Sequence, residues 1–385
     1  MIRNRIVHKI SYKIGRLLSY PVLAKFDFET DKMEKTDMKY IVVSNHTTEE
    51  DMYMGLRAFP NHMYFVGGEH IFRTPIGKPL SFLMDPISAP RGASHIGMVR
   101  EVLKRLKEGC NIMIFPEGCR SFNGETIPVS KEVGSLVKKG DCALVTYRTT
   151  GGYFASPRWG YKERKGKITG KIINIYSKEE LEKMTSEEIS EHINSDIYEN
   201  AYESQKISPR RFKGKGLAEG LENYLIICNN CKSYDSIETK DNHFRCACCG
   251  ESGTYDEYGY LKYDKDTQSP ESVYDYGKLV DNKFTEDIKN DKVTEFIEKN
   301  VKLYSISAKE HTSKDLLTAD VYIDKEKFCI GDYIFRYSDI THLSLLYFGK
   351  TALFSTKDGY YGLTGSKFRA RKLDLLYNLY RKENN

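Results

Sequence analysis

Five short apolar runs, at 40–44, 63–67, 111–115, 142–147 and 167–176, alternate with stretches of helical periodicity between residues 39 and 176. Strands separated by helices make a sheet whose faces those helices cover, so the pattern predicts an α/β layer fold, a mixed sheet flanked by helices. The clearest helix lies between the second and third runs. Ser94 can cap it, Val99, Val102, Leu103 and Leu106 form its apolar stripe, and Gly109 can end it. Lys104, Arg105 and Lys107 crowd its C-terminus, where cations are favoured. Residues 178–206 read as acidic helix, with Ser177 and Ser186 as candidate caps.

On either side of this region the pattern changes. Residues 1–20 form an amphipathic helix with Ile2, Ile6, Ile10, Ile14 and Leu17 at spacings of three and four, ended by Pro21. Arg3, Arg5, Lys9, Lys13 and Arg16 lie between them with no acid in the first twenty residues. Such a helix either packs on its own domain or lies on an anionic membrane surface, and different faces can do both. After a basic, Gly-rich piece at 208–216, either a linker or a phosphate-facing strip, comes a cysteine-rich unit, then a polar linker at 264–272. Strand-like runs follow near 319–323, 327–330, 333–337, 342–348, 352–356 and 360–363, with Asp358-Gly359 as a hairpin turn. A last helix runs from Ser366 to about Arg381, with Phe368, Leu375, Leu376 and Leu379 on one side. Antiparallel strands closed by one C-terminal helix look like a pleckstrin-homology (PH) type barrel. The expected organisation is therefore a surface helix at 1–20, an α/β domain at 21–210, a small metal-binding unit at 220–262 and a PH-like β domain at 273–385.

The balance of 59 basic and 54 acidic side chains gives a net charge of +5, too mild to imply nucleic acid. No apolar run reaches the roughly 18 residues that span a bilayer, and charges interrupt every run near the N-terminus, unlike a secretory signal. The expected location is the cytoplasm, peripheral on the inner face of the cell membrane. Five of the nine cysteines fall between Cys228 and Cys249. Cys228-x₂-Cys231 and Cys246-x₂-Cys249, fourteen residues apart, form two knuckles that can give a structural Zn²⁺ four thiolates. Cys248 is a spare that could replace Cys246 or Cys249. Acidic residues in and beside this ribbon argue against nucleic acid as its partner.

Two segments carry the chemistry. In Ser44-Asn45-His46-Thr47-Thr48-Glu49-Glu50-Asp51, a histidine follows a buried strand and an aspartate stands five residues on. A carboxylate that holds one imidazole nitrogen leaves the other as a base able to take a proton from a hydroxyl. The same letters also spell a helix start, with Thr48 as N-cap and three acids in the first turn. Downstream, Phe115-Pro116-Glu117-Gly118-Cys119-Arg120-Ser121 breaks a short strand with a turn, and Arg120 offers a planar fork that suits a phosphate.

Together these segments resemble two signature blocks of the glycerophospholipid acyltransferase family, the one that includes lysophosphatidate acyltransferases. Asn45, His46, Thr48 and Asp51 match the first block, and Phe115 to Ser121 match the Phe-Pro-Glu-Gly block. Phe72, Pro75, Gly77 and Arg91 resemble the intervening segment, and 143–147 stands where the family has its fourth, apolar block. Cys119 replaces the usual threonine, and Glu49 and Glu50 are unusually acidic, Glu50 being an alternative partner for His46. Phospholipid acyltransferases that carry a zinc ribbon after a Leu-Glu-Asn segment, here Leu221-Glu222-Asn223, also resemble the chain.

The resemblance, covering about 1–210, implies that His46 is the general base and Asp51 its orienter. Asn45, Thr48, Arg91, Glu117, Gly118, Arg120 and Ser121 would line the acceptor's glycerol-phosphate site. The donor would be acyl-CoA or acyl carrier protein, or an acyl phosphate. The acceptor would be a lysophospholipid or glycerol phosphate, foremost 1-acyl-sn-glycerol 3-phosphate. No catalytic metal is implied. The alternative is an inactive member of the family that serves as a membrane adaptor through its ribbon and PH-like domain.

Overall fold

The computed structural model describes residues 5–69, 84–89, 95–307 and 310–384. They divide into two compact units. The first, within 1–213, is built on a seven-stranded sheet of β1 (Asp27–Thr30), β2 (Tyr40–Ser44), β3 (Met63–Gly68), β4 (Ile87–Ala89), β5 (Asn111–Ile114), β6 (Ala143–Thr150) and β7 (Lys167–Tyr176). Their order is β1-β7-β6-β2-β5-β3-β4. Every pairing is parallel except β6 with β7.

Among the described residues the longer helices of this unit are α1 (Arg5–Leu23), α2 (Asp51–Ala58), α3 (Ile96–Lys107), α4 (Lys131–Lys139), α5 (Lys178–Lys183), α6 (Ser186–Ile197) and α7 (Ala201–Ile207). They cover both faces of the sheet, which is why β2 and β5 are buried at every residue and read as continuous apolar runs. Alternate residues serve the two faces. Ile41, Val43, Ile112, Ile114 and Leu144 pack with Val102 and Leu106 of α3, Leu136 and Val137 of α4 and Ile189, Ile193 and Ile197 of α6. Tyr40, Val42, Met113, Val145 and Tyr147 face Tyr12 of α1 and Leu56 and Ala58 of α2. The expected mixed sheet is thus present, with β1 and β4 added at its edges.

Local details differ from the sequence reading. Pro21 does not end α1, which continues to Leu23 with Pro21 in its last turn, where few N–H donors follow. Thr185, not Ser186, caps α6, in a capping box with Glu188. Ser177 caps α5 as expected, likewise with Glu180. Thr48 is not an N-cap. α2 starts at Asp51 after Glu50, which makes no side-chain cap bond. Ser94, the expected cap of α3, lies outside the described residues.

The isoleucine stripe of α1 is its outer face. Ile6, Ile10, Ile14, Leu17 and Leu18 are exposed. The packed face is His8, Tyr12, Gly15, Ser19 and Leu23. His8 hydrogen-bonds His62 and the Met84 carbonyl, and the Tyr12 hydroxyl donates to the Phe59 carbonyl at 3.1 Å. Among the described residues no helix is long and apolar enough to cross a membrane.

The second unit comprises 158–162 and residues from 214 on. Its antiparallel meander is β8 (Ile237–Lys240), β9 (His243–Cys246), β10 (Ser252–Tyr255) and β11 (Leu261–Tyr263). After α8 (Val273–Lys289) come β12 (Phe296–Ser307), β13 (Thr312–Ile323), β14 (Lys327–Ile330), β15 (Tyr333–Arg336), β16 (His342–Leu346), β17 (Thr351–Thr356), β18 (Gly359–Thr364) and α9 (Arg371–Asn384). These strands form one antiparallel sheet, β15-β14-β13-β12-β18-β17-β16. Its edge strands β15 and β16 do not pair, so the expected barrel is here an open sheet with one terminal helix. Buried Lys372 of α9 joins Glu298 of β12 to Asp235 before β8. Both carboxylates satisfy one buried cation, which ties the cysteine segment to the sheet within this unit.

Candidate active site

The site forms where β2 ends between its two parallel neighbours, the end of an α/β sheet at which ligand chemistry gathers. Asn45 leaves the strand and is fixed at once. Its amide Nδ2 donates to the Thr149 carbonyl at 2.8 Å, and its Oδ1 accepts from the Thr149 N–H at 2.8 Å and hydroxyl at 3.2 Å. This clamp onto β6 sets the direction in which His46 emerges. It engages the amide oxygen and one of the two amide hydrogens, so Asn45 holds the framework while it also lines the cavity beside His46.

His46 Nδ1 meets Asp51 Oδ2 at 2.9 Å. Asp51 is 2% exposed and also accepts from the Thr47 N–H at 2.6 Å, the Thr48 N–H at 3.0 Å and the Thr48 hydroxyl at 2.8 Å. The histidine-partner reading of Asp51 is present, and the same carboxylate holds the 47–48 turn that precedes α2 rather than forming a cap with Thr48. Glu50 is not the partner. It accepts from Lys25 Nζ at 2.6 Å, and Lys25 also binds Glu163. Burial raises the Glu50 carboxyl to about 7, with Lys25 opposing. The imidazole of His46 stacks on Phe115, centroids 4.9 Å apart, and its side chain stays 16% exposed. With Nδ1 on Asp51, Nε2 is the nitrogen left to accept a proton.

The second block braces this loop. Glu117 Oε1 accepts from the His46 N–H at 2.7 Å and Oε2 from the Ile127 N–H at 2.8 Å. Burial pushes its carboxyl up to about 8, with the two backbone donors opposing and the Asp51 charge adding. The expectation that Glu117 binds acceptor meets a carboxylate whose two oxygens already hold backbone. Gly118, at φ +71, makes the turn that a side chain would strain. The Ser121 hydroxyl accepts from the Gly124 N–H at 3.0 Å. Thr48 is fully buried against Asp51, and Arg91 lies outside the described residues with Phe72, Pro75 and Gly77.

His46, Arg120, Ser121 and Glu117 line one cavity of about 20 Å³, room for about one water. Its wall also contains Glu199, which the sequence reading passed over as part of an acidic helix. The helical run is interrupted at 198–200, where the Asn200 side chain caps α7. Glu199 there turns inward, 8% exposed, with Oε2 accepting from the Thr150 hydroxyl at 3.0 Å and Oε1 without a hydrogen-bond partner. Burial raises its carboxyl.

In the second unit, the Sγ atoms of Cys228, Cys231, Cys246 and Cys249 lie within 4.8 Å of one another. The Cys228–Cys249 and Cys231–Cys246 pairs are 3.8 and 3.7 Å apart. Cys248 is exposed and outside the group.

A carboxylate-held imidazole sharing a cavity with a guanidinium is equipped to deprotonate a hydroxyl compound that carries an anion. Residues 25–149 match the Acyltransferase family model. A chloroplastic 1-acyl-sn-glycerol-3-phosphate acyltransferase of Brassica napus is 26% identical over 140 residues, 36% of this chain and 40% of the relative. Its counterpart in Arabidopsis thaliana is 26% identical over 146 residues, 37% and 40% of the two chains. The enzyme of Cocos nucifera is 24% identical over 212 residues, 54% and 67%. The chain thus spans about two fifths of the length of the two chloroplastic relatives. The solved 1-acyl-sn-glycerophosphate acyltransferase of Thermotoga maritima has a TM-score of 0.43 and 20% identity, covering 54% of this chain and 85% of that one. Residues 25–149 are thus an acyltransferase-family domain, and the curated relatives it resembles are 1-acyl-sn-glycerol-3-phosphate acyltransferases.

Proposed function

We propose that the protein is a membrane-associated O-acyltransferase. It moves a fatty acyl group from an acyl thioester, on CoA or acyl carrier protein, to the free hydroxyl of 1-acyl-sn-glycerol 3-phosphate, giving phosphatidic acid. The observation that carries this is the 2.9 Å contact between His46 Nδ1 and Asp51 in a cavity that Arg120 also lines. His46 Nε2 takes the hydroxyl proton as the oxygen attacks the thioester carbonyl. Asp51 holds the tautomer and stabilises the imidazolium, and the departing thiolate takes up the proton. Arg120 holds the acceptor's phosphate.

The exposed apolar stripe of α1, flanked by Lys9, Lys13 and Arg16, supports docking on an anionic bilayer where the acceptor resides. A structural Zn²⁺ fits the four thiols. A tetrahedron with Zn–S of about 2.3 Å has S···S edges of about 3.8 Å, the spacing of the two close pairs. Cys228, Cys231, Cys246 and Cys249 would hold the ion and stabilise a meander that has little core of its own. The PH-like reading of the last sheet rests on its antiparallel strands and terminal helix.

The test mixes purified protein with lysophosphatidate and an acyl thioester. Wild type should release thiol and form phosphatidic acid, and His46→Ala should lose about 10²- to 10⁴-fold in kcat. Equal rates for the two proteins would remove His46 from the chemistry. Vesicle binding without transfer to any acceptor would favour the adaptor alternative.

A further inference from the structure

Arg120 is already paired. Its Nη2 donates to Glu49 Oε1 at 2.6 Å, and its Nη1 donates to the Ser156 carbonyl at 2.7 Å and contacts the Ser156 hydroxyl at 3.4 Å. The partners differ in freedom: the Arg120 side chain is 11% exposed and that of Glu49 is 63%. The guanidinium is therefore set in the wall by Ser156, while the carboxylate reaches it from the solvent side. The other acids of the same run are committed elsewhere, Glu50 to Lys25 and Asp51 to His46. A carboxylate and a phosphate use the same planar fork in the same way, so both cannot hold this face of Arg120 at once.

We propose that Glu49 is a tethered anion seated where the acceptor's phosphate binds, displaced by that phosphate, and hence a specificity-determining residue for the acceptor. The inference rests on the acyl-transfer reading of the site. Glu49 takes no part in proton transfer. Its effect is to set a threshold: a head group gains Arg120 only by outcompeting a carboxylate already in place. A phosphate monoester, with close to two charges and three acceptor oxygens near neutral pH, does this better than a singly charged diester. An uncharged acceptor leaves the Glu49–Arg120 pair closed. The acid that departs from the family pattern thus raises KM by a common factor for every head group that takes Arg120, and leaves uncharged acceptors untouched.

The experiment compares wild type, Glu49→Gln, Arg120→Ala and the double variant in the full-length protein. Acceptors are lysophosphatidate, lysophosphatidylglycerol and monoacylglycerol with one acyl thioester, and calorimetry measures glycerol 3-phosphate binding. Glu49→Gln should lower KM for both phosphate acceptors about two- to five-fold, the range of an exposed ion pair, with kcat unchanged. The preference for monoester over diester should stay as it is, the preference for either over monoacylglycerol should widen, and KM for monoacylglycerol should stay put. In the Arg120→Ala background the Glu49 change should have no effect. An unchanged or raised KM for lysophosphatidate in Glu49→Gln, while Arg120→Ala raises it, overturns the role of Glu49 and leaves the acyl-transfer reading standing. A chain that transfers no acyl group yet binds glycerol 3-phosphate more tightly as Glu49→Gln keeps Glu49 in this role and removes acyl transfer.

Discussion

Replacing Asp51 by Asn perturbs the best-connected residue of the site. Its carboxylate accepts five hydrogen bonds, from His46 Nδ1, the Thr47 and Thr48 N–H groups and the two threonine hydroxyls. Asparagine keeps one acceptor oxygen and turns the other into a donor. If its NH₂ replaces Oδ2, it faces the Thr47 N–H and His46 Nδ1. One backbone donor is then unpaired, and the imidazole must accept at Nδ1 and carry its proton on Nε2, which ends its use as a base. If its NH₂ replaces Oδ1, the hydroxyls can rotate to accept, but the Thr48 N–H is unpaired and no charge remains to stabilise the imidazolium. Either outcome leaves one buried donor unsatisfied at about 1–3 kcal/mol. Either also removes general-base help of about 10²–10⁴, and the same change in a serine-protease triad costs about 10⁴ in kcat. The expected result is a kcat about a thousandfold lower with KM little changed, because Asp51 is buried and lies behind the base. Thiol release from the acyl thioester measures this, with Glu50→Gln as a control that should stay near wild type. An Asp51→Asn enzyme within about tenfold of wild type would refute the pairing of base and orienter.

The remaining predictions concern the supports of the site and the rest of the chain. Glu117→Gln replaces a titrating carboxyl by a neutral side chain; because burial raises the Glu117 carboxyl to about 8, the stability it contributes is whole below the ordinary carboxylate range and is lost as pH rises toward 8, so the variant should lose that pH slope in urea titrations, and an unchanged slope would refute the burial argument. Ile10→Glu with Leu17→Glu should weaken sedimentation with anionic vesicles at least tenfold without changing the melting temperature, since both side chains are exposed; unchanged binding would exclude α1 as the docking surface. Elemental analysis should find about one zinc per chain, and a strong chelator should lower the melting temperature of wild type but not require Cys248, so that Cys248→Ser behaves as wild type; protein free of zinc at full stability would end the ribbon reading.

The strands legible from sequence were those whose pattern one force dominates. β2, β5 and β6 are buried between helices and show as apolar runs, β14 alternates between buried and half-buried residues, and β17 and β18 flank the Asp358-Gly359 turn. β12 was not legible because Asn300, at φ +53, sits in a register shift between Glu298 and Val301 that breaks the alternation. β1 and β4 are short edge strands of four and three residues whose positions depend on partners far along the chain. α8 did carry a signal: Ser272 caps it, and Val273, Tyr276, Gly277, Val280 and Phe284 recur at helical spacing. Its polar outer face merged with the linker before it. In α1 the periodicity was plain and the burial was not. The helix packs through His8, Tyr12 and Gly15 and leaves its isoleucines outside. Hydropathy finds an amphipathic helix but cannot say which medium covers its apolar side.

At the site, residue types and spacing gave the partners of His46 but not the division of labour around it. Position 51 was ambiguous between helix cap and histidine partner because the two demands select the same side chain in the same place; Asp51 takes His46 on one oxygen and the Thr48 N–H of the preceding turn on the other, without a Thr48 cap. Asn45 and Glu117 were legible as members of the motif, yet their hydrogen bonds run to backbone at Thr149, His46 and Ile127. Motif membership therefore marks residues that keep the base in position as readily as residues that touch substrate. Glu199 was illegible for the opposite reason: it belongs to no motif, and only the interruption of the helical run before α7 turns a residue of acidic surface composition into the cavity. A buried carboxylate oxygen with no partner beside the base is better suited to a hydroxyl or ammonium donor than to a phosphate. On the proposed reading the acceptor's anion would be directed to the Arg120 side of the cavity, which is where Glu49 already stands.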